Sequence, residues 1–151
     1  MKYCGTLISV SDMEKSKNFY EKVMQQKIML DLGVHVSFEN GLSLQSNYEE
    51  LVGEKLDMHV KPDNFQLYFE VTDLDEWESK LKATEGIAFI HQSKEYPWGQ
   101  RVMRFYDYDK YIVEVSESME SVARRFLAQG LSVEETAKRT MYPVEFVKQL
   151  C

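Results

Sequence analysis

Three prolines and seven glycines in 151 residues exclude a collagen-like or low-complexity chain. No apolar run approaches the ~18 residues of a membrane span. Met1-Lys2-Tyr3-Cys4-Gly5 lacks the long apolar stretch of a secretion signal, so a cytoplasmic location is expected. The only two cysteines, Cys4 and Cys151, stand at opposite ends without metal-ligand spacing and read as free thiols. Positive charge is scarce: 18 Lys and Arg face 25 Asp and Glu, a net charge of −7. Such a chain repels phosphate backbones unless a local basic patch overrides the total. What is present, 44% hydrophobic and 28% charged residues, is globular composition in a length that suits one domain or two small halves.

Tyr3–Val10 alternates as a strand, with Thr6, Ile8 and Val10 on one face and Gly5, Leu7 and Ser9 on the other. Ser11 and Glu14 have capping-box spacing and predict a helix start; Met13, Tyr20 and Met24 form its apolar stripe. Lys27–Leu32, Val34–Phe38 and Leu42–Gln45 read as short strands, the last two joined at Asn40-Gly41, a hairpin signal. Ser46–Asp63 is polar, with a helical turn at Tyr48–Leu51. The pattern then restarts. Phe65–Val71 is a strand, and Thr72-Asp73-Leu74-Asp75 opens a helix carrying Leu74, Trp77 and Leu81. Ile87–Ile90 is a short strand, Gln92–Gly99 a polar connection, and Arg101–Tyr106 and Tyr111–Val115 are the last strands.

The two stretches are copies. Val10-Ser11-Asp12-Met13 lies over Val71-Thr72-Asp73-Leu74 at an offset of 61, and Asn40–Gln45 lies over Asp109–Glu114 at an offset of 69. The eight extra residues fit in the polar connection, where insertion costs little. The fold class is therefore α+β: two βαβββ units, about 1–56 and 62–117, forming curved mixed sheets around a cleft, with a helical extension at 118–151. Strand parity turns Gly5, Leu7, Ser9 and Gln45 of the first copy toward that cleft. In the second copy it turns Gln66, Tyr68, Glu70, Ile112, Glu114 and Ser116.

These units resemble the vicinal oxygen chelate superfamily of glyoxalase, bleomycin-resistance and extradiol-dioxygenase proteins. The resemblance rests on Val10–Ser16 with Phe19-Tyr20, on Phe69–Leu74, and on Pro97–Arg101 followed by Arg104–Asp107 and Asp109–Val115. Where the family has Asp-Pro-Asp-Gly in its final turn, this chain has Asp107-Tyr108-Asp109-Lys110. The family's metal-ligand positions carry over onto Gly5, Gln45, Gln66 and Glu114, of which only Glu114 is a strong ligand. His35, His59 and His91 show no ligand spacing among themselves. The expectation is a metal-free cleft for a small, aromatic or planar ligand. Tyr68, Tyr96, Trp98 and Tyr106 are candidate walls, Gln45, Gln66 and Glu114 candidate polar contacts, and Arg101 or Arg104 a candidate anion contact. Glu114 is the candidate catalytic base. The alternative implied by the resemblance is a lactoylglutathione-lyase-like lyase or isomerase with Zn, Ni, Mn or Fe held by Gln45, Gln66 and Glu114. The resemblance also implies a homodimer.

The tail predicts three short helices: Ser121–Gln129 ended by Gly130, a second begun by the capping box Ser132–Glu135, and Val144–Leu150 begun by Pro143. They resemble a helix-turn-helix, which leaves a regulator as a further alternative. Five basic and four acidic residues supply too little charge for duplex DNA, so nucleic acid is not an expected partner, nor is a membrane. Packing of Phe126, Leu127, Val133, Phe146, Val147 and Leu150 is the expected role.

Overall fold

The computed structural model describes residues 1–56 and 61–151; His59 lies outside the described residues. Two compact units form, Met1–Pro62 with Tyr108–Lys110, and Asp63–Asp107 with Tyr111–Cys151.

In the first unit β1 (Thr6–Ser9), β2 (Ile28–Asp31), β3 (His35–Phe38) and β4 (Leu42–Gln45) make a sheet in the order β1-β4-β3-β2, with β1 parallel to β4. Its helix α1 (Met13–Asn18) continues into a π-helical turn, Phe19–Val23, closed by Met24 N–H donating to the Phe19 carbonyl at 2.9 Å. Through the wider turn the neighbours Phe19 and Tyr20 both bury, and with Met24 they join Ile8, Val36, Phe38 and Leu44 among the buried apolar residues, Tyr20 lying 6.1 Å from Phe38 between ring centroids. The expected stripe is thus shifted, with Phe19 in the core beside Tyr20. The short helix α2 spans Tyr48–Val52.

The second unit repeats the arrangement. β5 (Gln66–Val71), β6 (Ala88–Glu95), β7 (Arg101–Tyr106) and β8 (Ile112–Glu117) lie in the order β5-β8-β7-β6, and α3 (Leu74–Lys82) follows β5. Leu74, Leu81, Met103, Phe105, Val113 and Val115 are among its fully buried apolar residues. β6 corrects the sequence reading, because it runs on to Glu95 through what reads as a polar connection. It is an edge strand with two register shifts, so a strict apolar alternation is missing.

The helix starts are also adjusted. Asp12, not Ser11, caps α1 by accepting from Lys15 N–H at 3.0 Å, and Asp73 caps α3 by accepting from Glu76 N–H at 2.9 Å. Ser11 serves elsewhere: its backbone N–H and its hydroxyl both donate to Asp109 Oδ1, at 2.8 and 2.6 Å. The Ser16 hydroxyl donates to Asp109 Oδ2 at 2.8 Å. Asp107, buried in the same turn, accepts from Tyr111 N–H at 2.9 Å. Each aspartate of Asp107-Tyr108-Asp109-Lys110 therefore has a fixed structural partner. Lys110 stands at φ 69°, a left-handed conformation that suits glycine. An L-residue there costs about 1–2 kcal/mol, against about 0.5–1 kcal/mol of extra chain entropy for glycine. Lys110→Gly is therefore expected to stabilise the protein by about 0.5–1 kcal/mol, read as a raised urea midpoint.

The tail helices α4 (Met119–Ala128), α5 (Val133–Thr140) and α6 (Val144–Lys148) belong to the second unit. The Ser132–Glu135 capping box is formed, with both reciprocal bonds present. Trp98 and Leu131 pack on Met119, Val122 and Phe126. Val147 is buried, while Leu127, Val133, Phe146 and Leu150 are half-buried. In α6 the Lys148 ammonium is paired with Glu145 at 2.8 Å. Among the described residues no helix is long and apolar enough to cross a membrane.

Candidate functional site

The polar face of the second sheet is organised by Arg104. β7 and β8 pair antiparallel with Arg104 opposite Glu114, and β6 brings His91 opposite Arg104. The Arg104 guanidinium forms an ion pair with Glu114 through Nη2. Its Nε donates to Gln66 Oε1 at 3.1 Å, and its Nη1 donates to Tyr96 Oη at 2.6 Å and to His91 Nε2 at 3.2 Å. Gln66 completes the ring by donating from Nε2 to Glu114 Oε2 at 2.8 Å. A guanidinium only donates, so His91 Nε2 is the acceptor of that bond, and its Nδ1 lies 2.9 Å from the Gln92 carbonyl. Glu114 is only 6% exposed, so its charge needs this compensation.

A second chain of hydrogen bonds crosses the same unit. Trp98 Nε1 donates to Gln100 Oε1 at 3.0 Å, and Gln100 Nε2 donates to Ser116 Oγ at 3.2 Å. The Ser116 hydroxyl donates to Tyr68 Oη at 3.3 Å, and Tyr68 donates to Glu70 at 2.6 Å. Burial, followed by the bond to Glu70, raises the Tyr68 pKa, while Ser116 and Gln100 act in the opposite sense. Tyr68 is thus held protonated and half-exposed, a ring surface with its polar end tied down.

The expected site residues separate into groups. Gln66, Tyr96, Arg104 and Glu114 meet directly. Tyr106 lies on the same strand and parity as Arg104 and donates to Asp63 at 2.7 Å. Arg101 has the opposite parity, with Met103 and Phe105. It is committed to Asp75 at 3.0 Å and Glu117 at 2.9 Å. Trp98 stacks on Tyr96 with centroids 4.8 Å apart and turns toward the tail helices. Gln45 belongs to the first unit, where its Oε1 accepts from His35 Nδ1 at 3.0 Å.

Gly5 does not sit beside Gln45. The parallel ladder pairs Ser9 with Gln45 but Tyr68 with Glu114, so Leu7, not Gly5, stands to Gln45 as Gln66 stands to Glu114. The ladder is two residues out of step with the sequence repeat. Gly5, at φ 151°, abuts the first residue before β4: a Cβ there would lie 2.0 Å from the Gly41 carbonyl oxygen. His35 and His91 are the residues the sequence reading passes over. The signal for His35 was the repeat itself, since the offset of 69 maps it onto Arg104. Each copy sets its β3 or β7 residue against the candidate polar contact of its last strand, His35 with Gln45 and Arg104 with Glu114.

Residues 3–120 match the Glyoxalase-like domain family. The chain belongs to that family. Among solved structures, this glyoxalase-like protein is 33% identical to a protein of unknown function from Agrobacterium tumefaciens str. C58, with a TM-score of 0.71. The match covers 78% of this chain and 94% of that one. A lactoylglutathione lyase from Agrobacterium tumefaciens is 25% identical over 78% of this chain and 93% of that one, with a TM-score of 0.59. A glyoxalase/bleomycin resistance protein/dioxygenase family enzyme from Burkholderia phytofirmans PsJN, 15% identical, shares the fold at a TM-score of 0.67, over 76% and 96% of the two chains. No curated protein matches the chain. The glyoxalase-like family thus accounts for both copies and the start of the tail.

Proposed function

We infer that this glyoxalase-like protein binds a small, planar or aromatic molecule on the polar face of its second sheet, without a metal. The observation that carries the reading is the occupation of Glu114. Its carboxylate already balances the Arg104 guanidinium and accepts from Gln66. A dication there would have to displace a cation and would gain only amide oxygens from the glutamines, poor donors for Zn, Ni, Mn or Fe. Among the described residues no three His, Cys, Asp or Glu side chains group as ligands. The half-exposed Tyr68 ring and the Tyr96 and Tyr106 side chains on this unit supply contact area, and the Arg104–Gln66–Glu114 ring supplies paired donors and acceptors for orientation.

Elemental analysis of untagged protein, before and after dialysis against chelator, is expected to find metal well below one equivalent. Near-stoichiometric metal that survives dialysis would overturn the metal-free reading. Once a ligand is found by thermal shift in chelator, Gln66→Ala is expected to weaken it about three- to tenfold, the worth of one or so hydrogen bonds. The lactoylglutathione lyase likeness favours a second reading, an isomerase with Glu114 as ligand or base. That reading requires Arg104 to release Glu114, and the same metal analysis decides between the two. The reading includes a cytoplasmic homodimer. Met29, Leu32 and Val34, which are exposed on and just after the edge strand β2, offer apolar surface for the second copy.

A further inference from the structure

The tail borders a hollow that the Arg104 ring does not use. Its volume is about 560 Å³, and Pro97, Glu135, Lys138, Arg139 and Met141 line it. All five residues belong to the second unit. Glu135, Lys138 and Arg139 come from α5, Met141 from the residue that closes α5, and Pro97 from the connection between β6 and β7. Pro97, Met141 and the methylene stems of Lys138 and Arg139 supply apolar surface. Among the described residues, those lining the hollow include no aromatic ring, so a planar ligand finds no face to stack on. The volume falls within the roughly 300–1,000 Å³ of small-molecule pockets.

Two of the three charged lining residues are already engaged. Glu135 is turned back onto Ser132 and accepts from its backbone N–H and its hydroxyl, both at 2.8 Å. Arg139 donates to Glu95 at 3.3 Å and lies 5.7 Å from the Phe126 ring centroid. Lys138 is exposed, and among the described residues no acid pairs with its ammonium. One uncompensated positive charge therefore stands at the edge of an aliphatic wall.

Met141 adds a second observation. It closes α5 at φ 60°, a left-handed conformation that glycine takes without strain, yet its side chain is 78% exposed. A methionine here weakens the fold through its backbone and gains little from burial. Its flexible thioether chain suits an apolar ligand that it can cover.

We propose that this hollow binds a small amphiphilic carboxylate, with an unbranched alkyl chain of medium length against Pro97 and Met141 and its single negative charge at Lys138. The site shares no residue with the Arg104 ring and does not rest on the function proposed for it.

The test is a titration of the full chain with octanoate, octanol and octylammonium, all kept below micelle-forming concentrations and followed by backbone amide chemical shifts. Octanoate is expected to move the amides of Lys138, Arg139 and Met141. It is expected to bind about two- to fivefold more tightly than octanol, the worth of an ion pair that solvent reaches. Octylammonium is expected to bind more weakly than octanol. Lys138→Gln is expected to bring octanoate down to the octanol value and to leave octanol unchanged. Met141→Gly is expected to raise the urea midpoint, because it relieves the left-handed strain, and still to weaken octanoate about three- to tenfold, the worth of one or two buried methylene groups. Equal binding of the three probes, shifts that spare those three residues, an octanoate preference that survives in Lys138→Gln, or undiminished binding in Met141→Gly would overturn the proposal. Both substituted side chains are exposed, so the fold does not depend on either. Metal content and Gln66→Ala do not enter this test, so the fate of the Arg104 site is read separately.

Discussion

Arg104→Ala is expected to destabilise the protein by about 3 kcal/mol. Removing one partner of a buried ion pair leaves the other charge without compensation, and that typically costs about 3–5 kcal/mol. The side chain of Glu114 is 8% exposed and that of Arg104 25%, so solvent reaches the pair from one side and the lower figure applies. The substitution also strips partners from Gln66, Tyr96 and His91. Glu114→Gln added to Arg104→Ala is expected to recover much of the loss, because a neutral amide is far cheaper to bury than an unpaired carboxylate. Urea unfolding of the four proteins of this cycle measures the effect. A loss under about 1 kcal/mol, the level of a surface pair, would show that Arg104 does not carry the Glu114 charge.

Glu117→Ala is expected to cost about 2–3 kcal/mol, the worth of the hydrogen bonds to a charged carboxylate that it removes. Glu117 is 6% exposed and accepts from the Arg101 backbone N–H at 3.0 Å, from Arg101 Nε at 2.9 Å and from Arg125 Nη2 at 3.2 Å. Arg125 is on α4, so this carboxylate ties the tail to the end of β8. Arg125 also donates to the Gly99 carbonyl at 2.6 Å, which keeps the arginine near its place after the substitution. The tail should then open before the sheet does. Hydrogen exchange is expected to accelerate in α4 and α5 more than in β7 and β8. Uniform acceleration across the unit would mean that Glu117 stabilises the sheet alone.

The duplicated architecture was legible because capping chemistry and strand ends recur at fixed offsets, and the tail's Ser132–Glu135 box was legible because it is local. Long-range register was not. Nothing near Gly5 in sequence reveals that β1 runs two residues out of step with β5, since a parallel ladder can slide by two and keep every side chain on its face. Parity therefore survived the slip, and Gln66 and Glu114 came together as the parity argument had them. The partner of Glu114 was half-legible, through His35 and the repeat. His91 was hidden by the register shifts of an edge strand whose composition is polar. Trp98 and Tyr96 are both aromatic residues of one connection, and only the tail's packing separates the side of Trp98 that is core from the ring it stacks on.

The carboxylate that pins α1 through Ser11 and Ser16 comes from Asp109, in the closing turn of the other copy. Some 47 residues, 62 to 109, separate the end of the first unit's main segment from that turn. At synthesis rates of about 5–20 residues per second, the first copy waits roughly 2–10 s for its last contact. During that interval a nascent chain holds all four strands of the first sheet, and a helix whose Ser11 amide has not yet met its acceptor. A translational pause anywhere in this window prolongs the time the first copy spends without that carboxylate.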